Sequence, residues 1–233
     1  MRKIKILAIC AIALFSTMSV KAQFATGADI VSSYVWRGIP QSGTHGGTPN
    51  IQPYASFTTG GLTLGSWASG SFDGGIKEVD LYATYAISPS FAITLTDYNY
   101  GFNTDANGAQ KYFNYKKNET DHIFEGTLAY TGAAFSASIN TMFAGNDKLA
   151  NGDNALSTYF ELGYQIAPVA KIFLGGSLAN SATYGTTGFG ITNLGIKVSK
   201  SIAITDKFSL PVYAIVGANP YAKNAFFVAG VTL

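Results

Sequence analysis

The chain has 233 residues with 15 basic and 13 acidic side chains, so it lacks the basic excess that a nucleic-acid partner requires. Only 12% of the residues are charged, while 14% are aromatic and 26 are glycine. A soluble globule carries about 25% charged residues, so this balance indicates that much of the outer surface does not face water.

Residues 1–22, MRKIKILAICAIALFSTMSVKA, set Arg2, Lys3 and Lys5 before an apolar stretch from Ile6 to Phe15 and close on small residues. That is the plan of a cleaved secretory signal peptide, too short and wrongly flanked for a spanning helix. Cys10 falls within it, and Ile9 stands where lipoprotein cleavage needs a small residue. The exported part, residues 23–233, therefore has neither disulfide nor thiolate chemistry. Loss of Arg2, Lys3, Lys5 and Lys21 leaves it with 11 basic against 13 acidic residues, and its length suits one domain.

From there the chain divides at period two into twelve segments that alternate apolar with polar or small residues: approximately 25–37, 50–59, 62–72, 77–87, 91–101, 120–130, 135–144, 155–166, 171–180, 190–202, 208–218 and 225–233. In KEVDLYATYAI, Val79, Leu81, Ala83 and Tyr85 share one face, with Glu78, Asp80, Tyr82 and Thr84 opposite. No later stretch offers 18 consecutive apolar residues, so a membrane would have to be crossed by a closed sheet, in which every backbone group finds a partner. The fold class expected is all-β: a single antiparallel up-and-down transmembrane β-barrel of about 12 strands. Spaced at about 4.8 Å and tilted about 40°, these would close at a backbone diameter near 24 Å.

The connections alternate between short and long. Gly60-Gly61, Ser88-Pro89-Ser90, Thr131 to Ala134, Ala167 to Ala170 and Thr205-Asp206-Lys207 are the short ones. The long ones run through IPQSGTHGGTP, DGGI, NTDANGAQKYFNYKKNE, GNDKLANGD, SATYGTTG and NPYAKN, of which DGGI is the weakest member. Such alternation is the outer-membrane pattern, with the short turns and both chain ends in the periplasm. Tyr85, Phe91, Tyr130, Phe135, Tyr164 and Phe208 bracket the short turns, as an interfacial girdle would. A soluble secreted β-sandwich shares the alternation but not these two features.

Chemistry-bearing motifs are sparse. His45 in the first long loop and His122 at a strand start, without a recognisable nucleophile setting, read as exposed polar residues rather than parts of a triad. Asp97, Asp105, Asn107, Glu119, Asp121, Asp147, Asn151 and Asp153 do not follow calcium-loop spacing. No catalytic residue, cofactor or metal ligand is expected, and the chain is not read as an enzyme. What remains is the inner face, where parity sends Arg37, Glu78, Asp80, Glu125, Glu161 and Lys197, with Asp29 as a further candidate. Tyr54, Tyr82, Tyr159, Tyr213, Gln52 and Asn140 accompany them. Arg37 is the only arginine after residue 22. With Ile30 setting the parity of the first strand, Ser32, Tyr34 and Trp36 are expected outward and Arg37 inward near the mouth, paired with Glu78 and Asp80.

The run Ser33-Tyr34-Val35-Trp36-Arg37-Gly38-Ile39-Pro40-Gln41 resembles the S-D-Y-V-F-R-G-I-S-Q signature of the TorF-type family of outer-membrane porins. Gly65-Ser66-Trp67-Ala68-Ser69 and Glu78-Val79-Asp80-Leu81-Tyr82 with Tyr85 are also similar, in the same order, and the likeness covers roughly residues 28 to 86. This sequence departs from the pattern in lacking the aspartate before the tyrosine, and in having Trp36 and Pro40. The resemblance implies a small barrel in the outer membrane of a Gram-negative bacterium, with a transport role and no established substrate. The last segment, AFFVAGVTL, is similar to the terminal strand by which such barrels engage their assembly machinery.

The function expected is a narrow passive channel for small polar or cationic solutes. The alternative is a non-conducting barrel acting through its extracellular loops in adhesion or envelope structure. Partners expected are outer-membrane lipid, lipopolysaccharide, the barrel-assembly machinery and small polar solutes. Export is expected to remove residues 1–22, so the intact mass of the envelope-associated protein should correspond to a chain beginning at Gln23; a mass that retains Met1 or Lys3 rules this out.

Overall fold

A computed structural model gives the fold and describes residues 22–41, 47–75, 77–101, 111–117 and 119–233. The expectations for the leader, and those for Cys10, His45, Asp105 and Asn107, lie outside these residues. Among the described residues there is no helix. Twelve strands follow in order: β1 (Gln23–Val31), β2 (Asn50–Thr59), β3 (Leu62–Ser71), β4 (Lys77–Ala86), β5 (Phe91–Asn99), β6 (His122–Thr131), β7 (Phe135–Gly145), β8 (Thr158–Ala167), β9 (Ala170–Ser177), β10 (Gly190–Thr205), β11 (Phe208–Asn219) and β12 (Asn224–Thr232). Each pairs antiparallel with the next, and β12 returns to β1, so the sheet is a closed barrel. The closing seam is short: Asp29↔Thr232, Ile30↔Val231 and Val31↔Gly230.

Burial inverts the pattern of a water-soluble domain. Leu81, Leu95, Leu128, Ile139, Val216 and Phe227 are exposed on the outside, while Glu78, Asp80, Glu125, Asn140 and Ser177 are buried on the inside. The alternation that produces this follows from the strand geometry, in which successive side chains point to opposite faces. β1 and β12 begin and end at the rim of the short turns, where Phe91 packs on Tyr130 at 5.1 Å and Tyr130 on Phe135 at 6.3 Å. Length alone does not separate the two rims, since the connection 220–223 is no longer than the 87–90 turn and 72–76 exceeds it by a single residue.

Two strand boundaries differ from the sequence reading for identifiable reasons. β1 ends at Val31 rather than near residue 37, because Ser32 caps the ladder: its amide donates to the Ala229 carbonyl at 2.8 Å, and its hydroxyl accepts from the Ala229 amide at 2.9 Å. β10 runs on to Thr205, paired beyond Val198 only with β11. Both β6 and β9 carry a register shift, at Phe124/Glu125 and Gly175/Gly176.

Inside the barrel, large rings lie over inward-facing glycines of the neighbouring strand. Gly65 sits opposite Tyr82, and a Cβ added there would fall within 2.3 Å of the tyrosine ring. Gly230 has the same relation to Tyr213, also at 2.3 Å. The missing side chain supplies the space in which the ring lies flat along the wall, which lets bulky residues fit a narrow bore. Gly65→Val should therefore displace Tyr82 and cost about 1–3 kcal/mol by overpacking. The measurement is the temperature at which the folded, heat-modifiable gel band is lost; an unchanged temperature contradicts the packing assigned here.

Candidate functional site

The chain leaves β1 at Ser32 and folds into the bore instead of rising above it. Val35–Trp36 pairs with Ile39–Pro40 to make a miniature hairpin, whose two-residue tip is Arg37-Gly38. Both tip residues have left-handed backbones, φ +50° and +80°, the signature of a tight primed turn that matches strand twist. Gly38 is required there, since a Cβ would overlap the Thr192 carbonyl oxygen. The tip is fastened to β10 and β11: Thr192 Oγ1 donates to the Arg37 carbonyl and Asn219 Nδ2 to the Gly38 carbonyl, each at 3.3 Å.

From that tip the Arg37 side chain reaches β6 and meets Glu125 in a two-pronged ion pair, Nη1 to Oε2 at 2.5 Å and Nη2 to Oε1 at 2.8 Å. Nη1 also donates to the Tyr184 hydroxyl at 2.5 Å. The guanidinium lies over the rings of Trp36 at 4.5 Å and Tyr159 at 4.8 Å. Glu125 takes a further hydrogen bond from Tyr98 at 3.0 Å, and its side chain is 1% exposed. Burial opposes the Arg37 charge, but the oxygens of Tyr184 and Glu125 outweigh it and hold the guanidinium protonated. Burial likewise pushes the Tyr184 hydroxyl up, against the pull of Arg37.

Two corrections to the sequence reading follow. Arg37 pairs with Glu125, not with Glu78 and Asp80. Tyr34 and Trp36 do not join the outer interface: Tyr34 is buried against Trp67 at 5.4 Å, and Trp36 stacks on Tyr184 at 5.7 Å. The physical reason is common to both. Once Ser32 ends the strand, parity no longer governs direction, and a turn with positive φ reverses the chain into the polar bore.

A second loop covers the hairpin. Asn180–Ser181 pairs with Thr186–Thr187, and Tyr184 at its tip is buried. Asp147 braces this loop to its neighbour, accepting from Ser157 Oγ at 2.7 Å and Thr183 Oγ1 at 2.9 Å through one oxygen and from the Ser157 amide at 2.8 Å through the other. Beneath the hairpin lies a cavity of about 370 Å³, lined among others by Glu161, Lys171, Asn193, Lys197 and Tyr213. Glu161 is held by Tyr159 at 2.8 Å and Asn193 at 3.3 Å. Lys171 and Lys197 face each other across β9 and β10, and among the described residues neither makes an ion pair. Lys197 lies over the Tyr213 ring at 4.2 Å.

The structure thus joins Arg37 to Glu125, places Glu161 and Lys197 in the cavity below, and lays Tyr82 along the wall over Gly65. Glu78 and Asp80 stand apart from Arg37, side by side on β4. Asp29, within reach of Tyr213 at 3.4 Å, lies lower in the bore. Sequence reasoning missed Lys171, Tyr98 and Tyr184. Parity could have found the first two, since Phe173 and Thr96 share their faces. Tyr184 lies in SATYGTTG, where no periodicity exists to read.

His122 is also corrected, from exposed to fully buried. It lies on the outer face of β6, where Nδ1 meets Asp97 Oδ1 at 2.6 Å and Nε2 faces the Tyr112 carbonyl at 2.5 Å and Asn99 Nδ2 at 2.9 Å. Tyr115 stacks on its ring at 4.1 Å and donates to Asp97 at 3.1 Å. The cluster staples the described part of the third long loop to the outside wall. Among the described residues no group of three or more His, Cys, Asp or Glu side chains is arranged around a metal position.

Removing one partner of a buried ion pair strands the other charge, at a cost of about 3–5 kcal/mol. Glu125→Gln and Arg37→Met should each destabilise the barrel by that order in urea unfolding. The double variant should lose clearly less than the sum of the two, because neither charge is then left alone. Strict additivity contradicts the pairing.

No protein-family model matches the chain, and no curated protein matches it significantly.

Proposed function

We propose that this chain is an outer-membrane barrel of a Gram-negative bacterium that acts as a narrow passive channel for small polar or cationic solutes, with its first long loop as the stopper. The observation that carries this reading is the cavity of about 370 Å³, lined by charged and apolar side chains together, lying directly beneath a single small hairpin. That volume is within the range that holds a small organic ligand. The apolar exterior, with aromatic rings at the short-turn rim, suits a lipid surround. Asp29, Glu78, Asp80, Glu125 and Glu161 against Arg37, Lys171 and Lys197 give the bore an acidic excess, which favours cations. The likeness of Ser33–Gln41 to the TorF-type porin motif is in keeping with the reading, since Arg37 of that run is the tip of the stopper. In this reading β12 is the strand presented to the barrel-assembly machinery, and the outer face and loops meet lipid and lipopolysaccharide.

The second reading is a non-conducting barrel that acts through its loops in adhesion or envelope structure. It is favoured by the number of groups that hold Arg37: Glu125, Tyr184, Trp36 and Tyr159. Planar-bilayer recording separates the two. The wild type should show brief, rare openings of small conductance, and Glu125→Gln should raise the open fraction several-fold, with a reversal potential in a salt gradient that favours cations. Silence in both proteins sinks the channel reading and selects the other.

A further inference from the structure

Near the mouth, on the wall that the hairpin does not latch, two carboxyl groups are buried together without a basic partner. Glu78 is 1% exposed and Asp80 is 5% exposed, and the alternation of β4 sets them on the same inner face. Arg37 is committed to Glu125, and Lys77 points to the opposite, exposed side. Among the described residues neither carboxylate makes an ion pair. Both oxygens of Glu78 lack any hydrogen bond of ordinary geometry, although the Tyr34 hydroxyl stands next to them. Asp80 accepts from the Asn99 amide at Oδ1, 3.2 Å, and its carboxyl lies against that of Glu78.

Among the described residues the neighbours add oxygen and nothing basic. Ser69 lies directly across from Glu78 and is 2% exposed; its hydroxyl donates to Asn50 Oδ1 at 3.2 Å, so its lone pairs remain. Trp67 lies across from Asp80. The backbone also changes at this point. The β4–β5 ladder stops at Leu81↔Asp97, although β4 continues to Lys77 and β5 to Asn99. The Asp80 side chain takes the Asn99 amide that the missing ladder would have satisfied.

We propose that Glu78 and Asp80 form a binding site for a hard divalent cation of the calcium type, seated where β4 and β5 part. Two carboxylates buried away from cationic side chains need a positive counter-charge. An all-oxygen donor set that combines two carboxylates with the Ser69 and Tyr34 hydroxyls suits Ca²⁺, which accepts six to eight oxygens in irregular geometry and completes its shell with water. The cation supplies the charge balance on this wall that Arg37 supplies on the wall of β6. It also bridges the gap in the ladder and ties the two strands at their mouth ends. With the cation bound, Glu78 and Asp80 no longer add to the acidic excess of the bore, but cation binding is read without conduction, so this site and the channel reading fail separately.

Terbium titration of the refolded protein in detergent at neutral pH tests the proposal, with emission excited through tryptophan because Trp67 adjoins the site. The wild type should give saturable emission that Ca²⁺ displaces. Glu78→Gln and Asp80→Asn should each weaken binding at least tenfold, and Asp153→Asn, in an exposed loop, should leave it unchanged. Heat-modifiable gel migration checks that each variant is folded. Should the Glu78 and Asp80 variants not fold, Ca²⁺ must still raise the temperature at which the wild-type folded band is lost. Absence of saturable emission, equal binding by the variants, or no thermal effect of Ca²⁺ on the wild type overturns the proposal and leaves the pair sharing a proton instead.

Discussion

A strand edge that faces apolar surroundings leaves N–H and C=O groups unpaired at several kcal/mol each, and twelve strands in a row have two such edges. The contact between β1 and β12 removes both, yet only three residue pairs make the ladder there. Flanking bonds lengthen it: Ala28 and Leu233 exchange backbone hydrogen bonds at one end, and Ser32 supplies its side chain at the other. Closure then dictates everything else. Once the sheet is a cylinder, each residue is either outside or inside, and the choice alternates along a strand until the strand ends or a bulge shifts the register, as at Thr192 and Asn193, which both turn inward.

The inside of a cylinder this narrow has to be filled, and polar side chains fill it on terms different from those of an apolar core. Each buried polar group needs a partner, and each buried charge needs compensation. Tyr159, Asn193 and Glu161 satisfy one another, as do Thr127, Asn140 and Ser138. Glu125 has no cation on any neighbouring strand. The first loop brings one, carried on a turn whose left-handed backbone is tolerated because Thr192, Asn219 and Glu125 fix it from three directions. The hairpin is therefore an electrostatic requirement of the wall as much as a filling of the bore.

The same reasoning accounts for the abundance of glycine. A bore of about 24 Å backbone diameter cannot hold a large ring on every inward position of adjacent strands. Gly65 beneath Tyr82 and Gly230 beneath Tyr213 resolve the conflict by giving up one side chain so that its neighbour can lie flat. Rings and glycines are thus one device, and the composition noted at the outset reflects the curvature of the sheet.

The sequence by itself determined the barrel. Alternation at period two, turn residues at regular spacing and low charge fix strand number and the inward or outward direction of Glu78, Asp80, Glu125, Glu161 and Lys197, because these are local properties of extended chain. Direction failed at Ser32 to Gln41, where an alternating apolar pattern continues past the true end of β1. Only the tertiary structure decided that end, since the hydrogen bonds of Ser32 come from Ala229, almost the whole chain away. It also chose Glu125 over Glu78 and Asp80 as the partner of Arg37, and buried His122 beneath a loop. Which charges meet across a cylinder depends on register, tilt and the path of the loops, and these are set by contacts between strands rather than by the order of residues along any one of them.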